Sequence, residues 1–91
     1  MTDVMLVDDH KIMRDGLKAI LRPHHTFRLV GEAASGAEAV QMARAVKPHI
    51  IVMDLSLPGL NGIEATAEIL RHLPGTRVVI LSMYDDDASV M

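Results

Sequence analysis

Three aspartates follow apolar segments typical of buried strands, and these aspartates are the residues of the sequence best suited to chemistry. Asp8 and Asp9 end the segment VMLVDD, and Asp54 ends the segment HIIVMD. Two unit charges ~4 Å apart repel by roughly 4 kcal/mol at a surface-like effective dielectric. If the two segments are neighbouring strands, three carboxylates share one pocket and require a cation or a shared proton.

The types of the residues around this pocket indicate its chemistry. The candidate metal ligands in this pocket are all oxygen atoms, which favours Mg²⁺ or Mn²⁺ over zinc or iron. Asp54 could also attack a phosphoryl group and become an aspartyl phosphate. The turn formers Pro58 and Gly59 could direct the Ser56 carbonyl toward the metal. Ser82, at the end of a later apolar segment, could donate a hydrogen bond to a phosphoryl oxygen.

The elements that must position these residues alternate between strands and helices. The sequence predicts strands over residues 4–9, 27–33, 49–54 and 77–82, with amphipathic helices between them. This alternation predicts an α/β fold of parallel strands with right-handed crossovers and helices on both faces. The apolar run of the second strand is interrupted by Arg28, Gly31 and Glu32, which is typical of a strand at the edge of a sheet.

Each of the three complete helices has a predicted inner face and an end signal. Ser35 with Glu38, and Asn61 with Glu64, have the spacing of capping boxes. A fourth helix is expected to begin after Tyr84 and to be incomplete. The predicted inner faces are Met13, Leu17, Ile20 and Leu21 in the first helix, Ala39, Ala43 and Val46 in the second, and Ile63, Ala67 and Leu70 in the third.

Composition narrows the class of protein. The 91 residues suffice for one domain, 49% of them are hydrophobic, and the formal net charge is -3. An acidic balance gives no general attraction to nucleic acid or anionic lipid, so neither is expected as a direct partner of this segment. The chain has no Cys, and the sequence shows no targeting or membrane segment. A cytoplasmic location is the simplest expectation.

Several of these segments resemble a known family. The segments VDDH (7–10), VMDLSLPGLNGIE (52–64) and VVILS (78–82) resemble the CheY-like receiver domain of two-component response regulators. The segments VGEAASGAEAV (30–40) and LSMYDDD (81–87) resemble the LuxR/NarL-type branch, whose output is a DNA-binding domain. The resemblance implies a flavodoxin-like, doubly wound sheet of order 2-1-3-4-5.

The resemblance also implies a role for each site residue. Asp54 would be the phosphoacceptor for a sensor histidine kinase, and Asp9, Asp54 and the Ser56 backbone carbonyl would bind Mg²⁺ directly. Asp8 would act through water or hydrogen bonds, and Ser82 would be the switch hydroxyl. The implied protein is a phosphorylated signalling switch rather than an enzyme. It would control transcription through an output domain absent from these residues.

The chain departs from the family pattern after its fourth strand. Residues 1–91 are expected to form the N-terminal four strand and helix units, in the order 2-1-3-4, without the fifth strand or its site lysine. Lys18 and Lys47 fall on predicted helices, and Lys11 is only a remote candidate for that lysine. The fourth strand then becomes an apolar edge, from which we expect self-association. The alternative is a segment cut from a full regulator.

Other interpretations of the same residues stay open. Asp9 could simply cap the first helix. The chain could be an interaction module that binds Mg²⁺ or itself without phosphorylation. An aspartate-nucleophile phosphohydrolase shares the chemistry, but it usually has a second acid two residues after the nucleophile, where Ser56 stands here. His10 could modulate the nearby acids. The histidines His10, His49 and His72 are otherwise too scattered in sequence to predict a metal site.

Overall fold

Strands and helices alternate strictly along the computed structural model, which describes residues 1–55, 57 and 61–81. The predicted fourth helix, the turn at Pro58 and Gly59, Ser56 and Ser82 lie outside these residues. The elements are β1 (Thr2–Val7), α1 (Lys11–Leu21), β2 (Phe27–Ala33), α2 (Gly36–Val46), β3 (Ile50–Asp54), α3 (Gly62–His72) and β4 (Arg77–Leu81).

The four strands form one parallel sheet in the order β2-β1-β3-β4, which confirms the predicted fold. The two central strands pair in register, with Met5 opposite Ile51 and Val7 opposite Met53. Central strands of a parallel sheet carry apolar side chains on both faces, as their nearly unbroken apolar runs indicated. The diluted strand β2 lies at an edge, as predicted.

The main core lies between the sheet and the two helices α2 and α3. Small alanines on the helices allow them to approach the larger side chains of β1 and β3 closely. The predicted inner face of α2 is confirmed, with Val46 packed at its margin. The buried core residues are Met5, Val7, Ala33, Ala39, Ala43, Ile51, Met53, Leu57, Ala65 and Ile69.

The predicted inner face of α3 is wrong. Ile63 is 67% exposed and Ala67 is exposed, whereas Ala65 and Ile69 are fully buried. The small residues Gly62 and Ala65 let the start of α3 pack closely on the sheet, and Ile69 joins the core further along the helix. The stripe chosen by hydrophobicity alone therefore missed the buried side, and of that stripe only Leu70 is even partly buried.

Helix α1 is attached differently, because none of its residues is fully buried. Ile20, predicted to face inward, is 64% exposed, which corrects that part of the predicted stripe. Polar contacts join the helix to β2: Arg14 Nε donates to Glu32 at 3.1 Å, and Lys18 Nζ donates to the same carboxylate at 3.0 Å. The hydrogen bond from Lys18, with a further one from Arg14, lowers the pKa of Glu32.

The predicted helix caps are confirmed. The Ser35 hydroxyl accepts a hydrogen bond from the Glu38 backbone N–H at 3.2 Å. The Asn61 side chain accepts one from the Glu64 backbone N–H at 2.9 Å. Each cap satisfies a backbone donor that the first turn of the helix leaves free, so these two helix starts were readable from sequence.

Gly62 has no room for a side chain, because a Cβ atom there would collide with the backbone oxygen of Asp54 and lie 2.9 Å from Leu55 Cα. Backbone cannot rotate away as a side chain can. We expect Gly62→Ala to lower the free energy of unfolding by about 1–3 kcal/mol, as overpacking does. Chemical denaturation monitored by circular dichroism measures this change.

Gly16→Ala is the matched control, since a Cβ atom at this exposed α1 position meets nothing within 4 Å. Removing a glycine from a helix interior should raise the free energy of unfolding by roughly 0.5–1 kcal/mol. Equal effects of the two substitutions would contradict the close contact at Gly62.

The ion pairs of Glu32 generate a prediction on pH. The hydrogen bonds from Lys18 and Arg14 hold the folded pKa of Glu32 below its ordinary value of 4.5. Its carboxylate therefore stabilises the fold above that value, and this contribution is lost as pH falls through the lower folded pKa. We expect Glu32→Gln to cost about 1 kcal/mol at neutral pH and progressively less in acid.

Chemical denaturation at a series of pH values from neutral to acidic measures this change in the free energy of unfolding. Glu64→Gln is the control. Glu64 is exposed in the first turn of α3, where its charge contributes only about 0.3–1 kcal/mol through the helix dipole. A cost for Glu32→Gln that stays constant down to strongly acidic pH would show that the ion pairs are not its cause.

Candidate functional site

The carboxylates at the ends of β1 and β3 converge. Val7 and Met53 are register partners in parallel strands. The residues that follow them, Asp8 and Asp54, therefore lie at the same end of the sheet. Asp8 is 2% exposed and Asp54 is 1% exposed, while Asp9 is exposed. One possible ligand atom from each of Asp8, Asp9, His10 and Asp54 lies within 4.8 Å of the others. The predicted convergence of the three acids is thus confirmed.

The backbone at the end of β1 is held from two sides. The Asp8 N–H donates to the Ala33 carbonyl of β2 at 3.0 Å. The Asp8 carbonyl accepts a hydrogen bond from Arg14 Nη1 of α1 at 2.6 Å. Arg14 also binds the Glu32 carboxylate of β2. Its largely buried guanidinium therefore connects the backbone of Asp8 to both α1 and β2. Nothing in the sequence had singled out Arg14 for this position.

The end of β3 is held by β4 and by the start of α3. The Leu55 N–H donates to the Leu81 carbonyl at 3.3 Å, and the Gly62 N–H donates to the Leu55 carbonyl at 3.4 Å. Gly62 has no side chain to separate α3 from the strand. The buried Asp54 carboxylate is therefore carried by backbone that contacts ordered elements on both sides.

His10 belongs to the acid cluster, which the sequence indicated only through its adjacency to the acids. Its Nδ1 atom lies 3.0 Å from Asp9 Oδ1 and 3.2 Å from Asp8 Oδ1. His10, not Asp9, is the N-cap residue of α1, so the alternative of Asp9 as a helix cap is wrong. Of the three histidines, the structure places His10 within reach of the acids, and whether its ring takes part in a metal site stays untested.

Two further histidines make contacts away from these acids. His49 Nδ1 accepts a hydrogen bond from the Asp3 N–H at 2.8 Å, at the opposite end of β1. His72 lies 3.4 Å from Glu68 on the exposed side of α3. Their spacing in the sequence therefore reflected separate local roles.

Two of the three lysines pair with acids outside the cluster, and the third ends a helix. Lys11 Nζ binds Asp15 at 2.9 Å, and Lys18 Nζ binds Asp15 at 3.1 Å. Lys47 ends α2 in the left-handed conformation, with φ of 48°. These contacts agree with the expectation that Lys18 and Lys47 lie on helices away from the strand ends. They also give Lys11 a partner on its own helix.

The donor set of the cluster fits a hard divalent cation. Ionised carboxylates brought together at close range repel one another, and a cation between them offsets that repulsion. Carboxylate oxygens with room for water are the ligands that Mg²⁺ prefers. Asp8, Asp9 and Asp54 could hold such an ion. Ser56 and Ser82 lie outside the described residues, so their roles stay predictions.

No helix within the described residues is long and apolar enough to cross a lipid bilayer.

Comparison with known proteins adds an independent observation. Residues 4–91 match the response regulator receiver domain family. Over 90 residues the chain is 40% identical to the transcriptional regulatory protein LiaR of Bacillus subtilis. The aligned region covers 99% of this chain and 43% of that protein.

Solved structures agree in sequence and in fold. The response regulator domain of Thermotoga maritima CheB is 38% identical, with a TM-score of 0.88 over 98% of this chain and 66% of that one. A LuxR-family response regulator from Aurantimonas is 40% identical, with a TM-score of 0.88 over 97% of this chain and 63% of that one.

The chain thus spans less than half the length of LiaR and about two thirds of the solved CheB domain. The family match contains the acid cluster and, apart from the first two residues of β1, every described strand and helix. A sheet of order β2-β1-β3-β4 with acids at the ends of β1 and β3, a family match over residues 4–91, and this structural similarity together show that the chain belongs to the response regulator receiver domains.

Proposed function

We propose that this chain is the phosphoacceptor part of a two-component signalling switch, in which Asp54 accepts a phosphoryl group from a sensor histidine kinase. In this proposal residues 1–91 are the N-terminal part of a receiver domain located in the cytoplasm. The switch controls a DNA-binding output domain outside these residues. Membership of the receiver family and the similarity to named transcriptional regulators support the proposal.

The observation that carries it is the convergence of three carboxylates on one strand-end pocket, with Asp54 buried at its base. Burying ionised carboxylates is costly, and the cost is usually offset by a bound cation or hydrogen-bond donors. A fold that keeps Asp8 and Asp54 2% and 1% exposed beside Asp9 therefore favours a site that works with a divalent cation. Cation binding and phosphoryl transfer are the chemistry such a site supports.

In the proposed reaction a carboxylate oxygen of Asp54 attacks the phosphorus atom of the kinase's phosphohistidine. A P–O bond forms as the P–N bond breaks, and the bonding electron pair leaves with the imidazole nitrogen. The product is an acyl phosphate on Asp54. The rigid backbone between β4 and α3 keeps the attacking oxygen in place, which reduces the entropic part of the barrier.

The metal ligands in this proposal are Asp9, Asp54 and the Ser56 carbonyl, with Asp8 acting through water or hydrogen bonds. A bound Mg²⁺ supplies positive charge that neutralises the phosphoryl oxygens during transfer. Asp8 and Arg14 keep the β1 end in place while the charge at Asp54 changes. Ser82 is proposed to donate its hydroxyl hydrogen to a phosphoryl oxygen, which would pass the change on to partner surfaces.

The outcome of phosphorylation in this proposal is a change of state rather than catalytic turnover. A doubly negative group at Asp54 alters the charge of the pocket and biases the segments that face it. The relatives named as transcriptional regulators suit this interpretation. A phosphohydrolase remains the less supported alternative, because it would need to release the phosphoryl group repeatedly.

Treatment with acetyl phosphate and Mg²⁺ tests the proposal directly. Intact mass spectrometry should detect one added phosphoryl group on the chain, and Asp54→Asn should abolish it because the amide is not a nucleophile for this step. The adduct should also disappear when Mg²⁺ is chelated, because the charge on the transferring group is then no longer neutralised.

Asp3→Asn is the matched control, since Asp3 is a carboxylate on the neighbouring strand β1, at the opposite end of the sheet, where it pairs with Arg28. It should keep the full adduct. Fast release of phosphate without an adduct would support the phosphohydrolase. The absence of any reaction would favour an interaction module that binds Mg²⁺ or itself without phosphorylation.

We further propose that the chain associates with a second copy through the edge of β4. Within the described residues β4 pairs with β3 alone, and its Val79 and Ile80 are 48% and 42% exposed. An exposed apolar edge strand offers unpaired backbone groups to another strand. Pairing of two such edges, or exchange of the following segment, would cover this surface.

Light scattering after size-exclusion chromatography tests this association. We expect a mass that rises with concentration toward a dimer, and Val79→Lys should restore the monomer because charge blocks edge pairing. Ile63→Lys places the same change on an exposed α3 residue and should leave the association intact. A monomer at every concentration would rule out this part of the proposal.

A further inference from the structure

We propose that the groove between the end of α1 and the start of β2 binds an extended, acidic and apolar segment of a protein partner. This surface, the α1–β2 groove, is lined by Lys18, Leu21, Arg22, Phe27 and Leu29. It lies at the amino end of the sheet, where Phe27 is the register partner of Thr2, whereas the acid cluster lies at the carboxyl end. Binding at this surface is separate from the proposed phosphoacceptor function and does not depend on it.

The floor of the groove is apolar and open to solvent. Phe27 and Leu29 are 37% and 38% exposed, and Leu21 is partly buried. Exposed apolar side chains that lie together inside a polar rim are typical of interaction sites. The cavity has a volume of about 190 Å³, smaller than the ~300–1,000 Å³ of small-molecule sites. It therefore suits one large side chain of a protein partner better than a separate small ligand.

The turn between α1 and β2 holds the groove in place. The Leu21 carbonyl accepts a hydrogen bond from the His24 N–H at 2.9 Å, and the His24 carbonyl accepts one from the Phe27 N–H at 3.1 Å. The His24 ring also meets the Phe27 ring edge to face, with centroids 6.3 Å apart. The positions of Leu21 and Phe27 are thus set before a partner binds, which lowers the entropic cost of binding.

The free edge of β2 favours an extended partner. Within the described residues β2 pairs with β1 alone, and residues 27–29 are exposed. An edge strand offers unpaired backbone N–H and C=O groups, to which an extended chain can add as a further strand. Phe27 and Leu29 are two positions apart, so they share one face of β2. An added strand in which apolar residues alternate would place them on that same face.

The charge at the rim favours an acidic partner. Lys18 is already engaged by Asp15 and Glu32. Arg22 is exposed and forms no ion pair within residues 1–55, 57 and 61–81. As the C-cap residue of α1 it complements the helix dipole, and its guanidinium stays free to bind a carboxylate. The turn over residues 22–26 contains no acid, so a partner carboxylate meets no like charge there.

A labelled peptide in which Asp and Val alternate around a central Phe is the probe for this surface. Fluorescence anisotropy should detect its binding to the chain, and the same peptide with Lys in place of Asp should bind about tenfold more weakly. Arg22→Glu and Phe27→Ala should each weaken binding of the acidic peptide about tenfold, because they remove the carboxylate partner and the aromatic surface.

Arg44→Glu and Ile63→Ala are the matched controls. Arg44 is an exposed cation in the last turn of α2, so its reversal changes the net charge and a helix end in the same way. Ile63 is an exposed apolar residue of α3. Both controls should keep the full affinity, and circular dichroism verifies that all variants fold.

Nuclear magnetic resonance shifts of the backbone amides locate the bound peptide. Changes over residues 22–29 would support the α1–β2 groove, whereas changes centred on β4 would overturn the proposal in favour of the other sheet edge. Absence of binding, equal affinity for the acidic and the lysine peptides, or equal effects of Arg22→Glu and Arg44→Glu would also overturn it. Tighter binding of a short DNA duplex than of the acidic peptide would overturn it in favour of nucleic acid.

Discussion

The parallel pairing of β1 with β3 is the constraint on which the rest of the structure depends. It brings acids that are 46 positions apart in the sequence, Asp8 and Asp54, to the same end of the sheet, and it buries both. Their mutual repulsion is a cost that a protein selected only for stability would avoid by substituting an apolar side chain. The core between the sheet, α2 and α3 therefore supplies the free energy that keeps these carboxylates together.

The two sides of the sheet hold the site by different means. On one side α3 packs so closely, through Gly62 and Ala65, that its first turn contacts the backbone just after Asp54. On the other, α1 buries no residue completely and is attached by Arg14 and Lys18. A polar attachment responds to pH and salt, whereas close apolar packing does not. The end of β1 thus depends on charge, and the end of β3 depends on shape.

The acid cluster and the Arg14 network share Asp8, which connects the charge of the pocket to the position of α1. Arg14 binds the backbone carbonyl of Asp8, and the side chain of Asp8 accepts from the His10 N–H at the start of α1. A change in charge at the carboxylates would act on the first turn of this helix through these contacts. This arrangement gives a receiver domain a short physical route from its pocket to its surface.

The sequence by itself determined the strand and helix order, the edge position of β2, the caps at Ser35 and Asn61, and the acids at the strand ends. These features depend on local periodicity and on hydrogen bonds between near neighbours, which a sequence displays directly. Only the tertiary structure decided which side of α3 is buried, that Ile20 of α1 is exposed, and that His10 rather than Asp9 caps that helix. It also decided that Arg14 holds Asp8 and that the His10 ring meets two carboxylates. Helix rotation depends on how closely small residues allow two surfaces to approach, and that distance is set by elements far away in the chain.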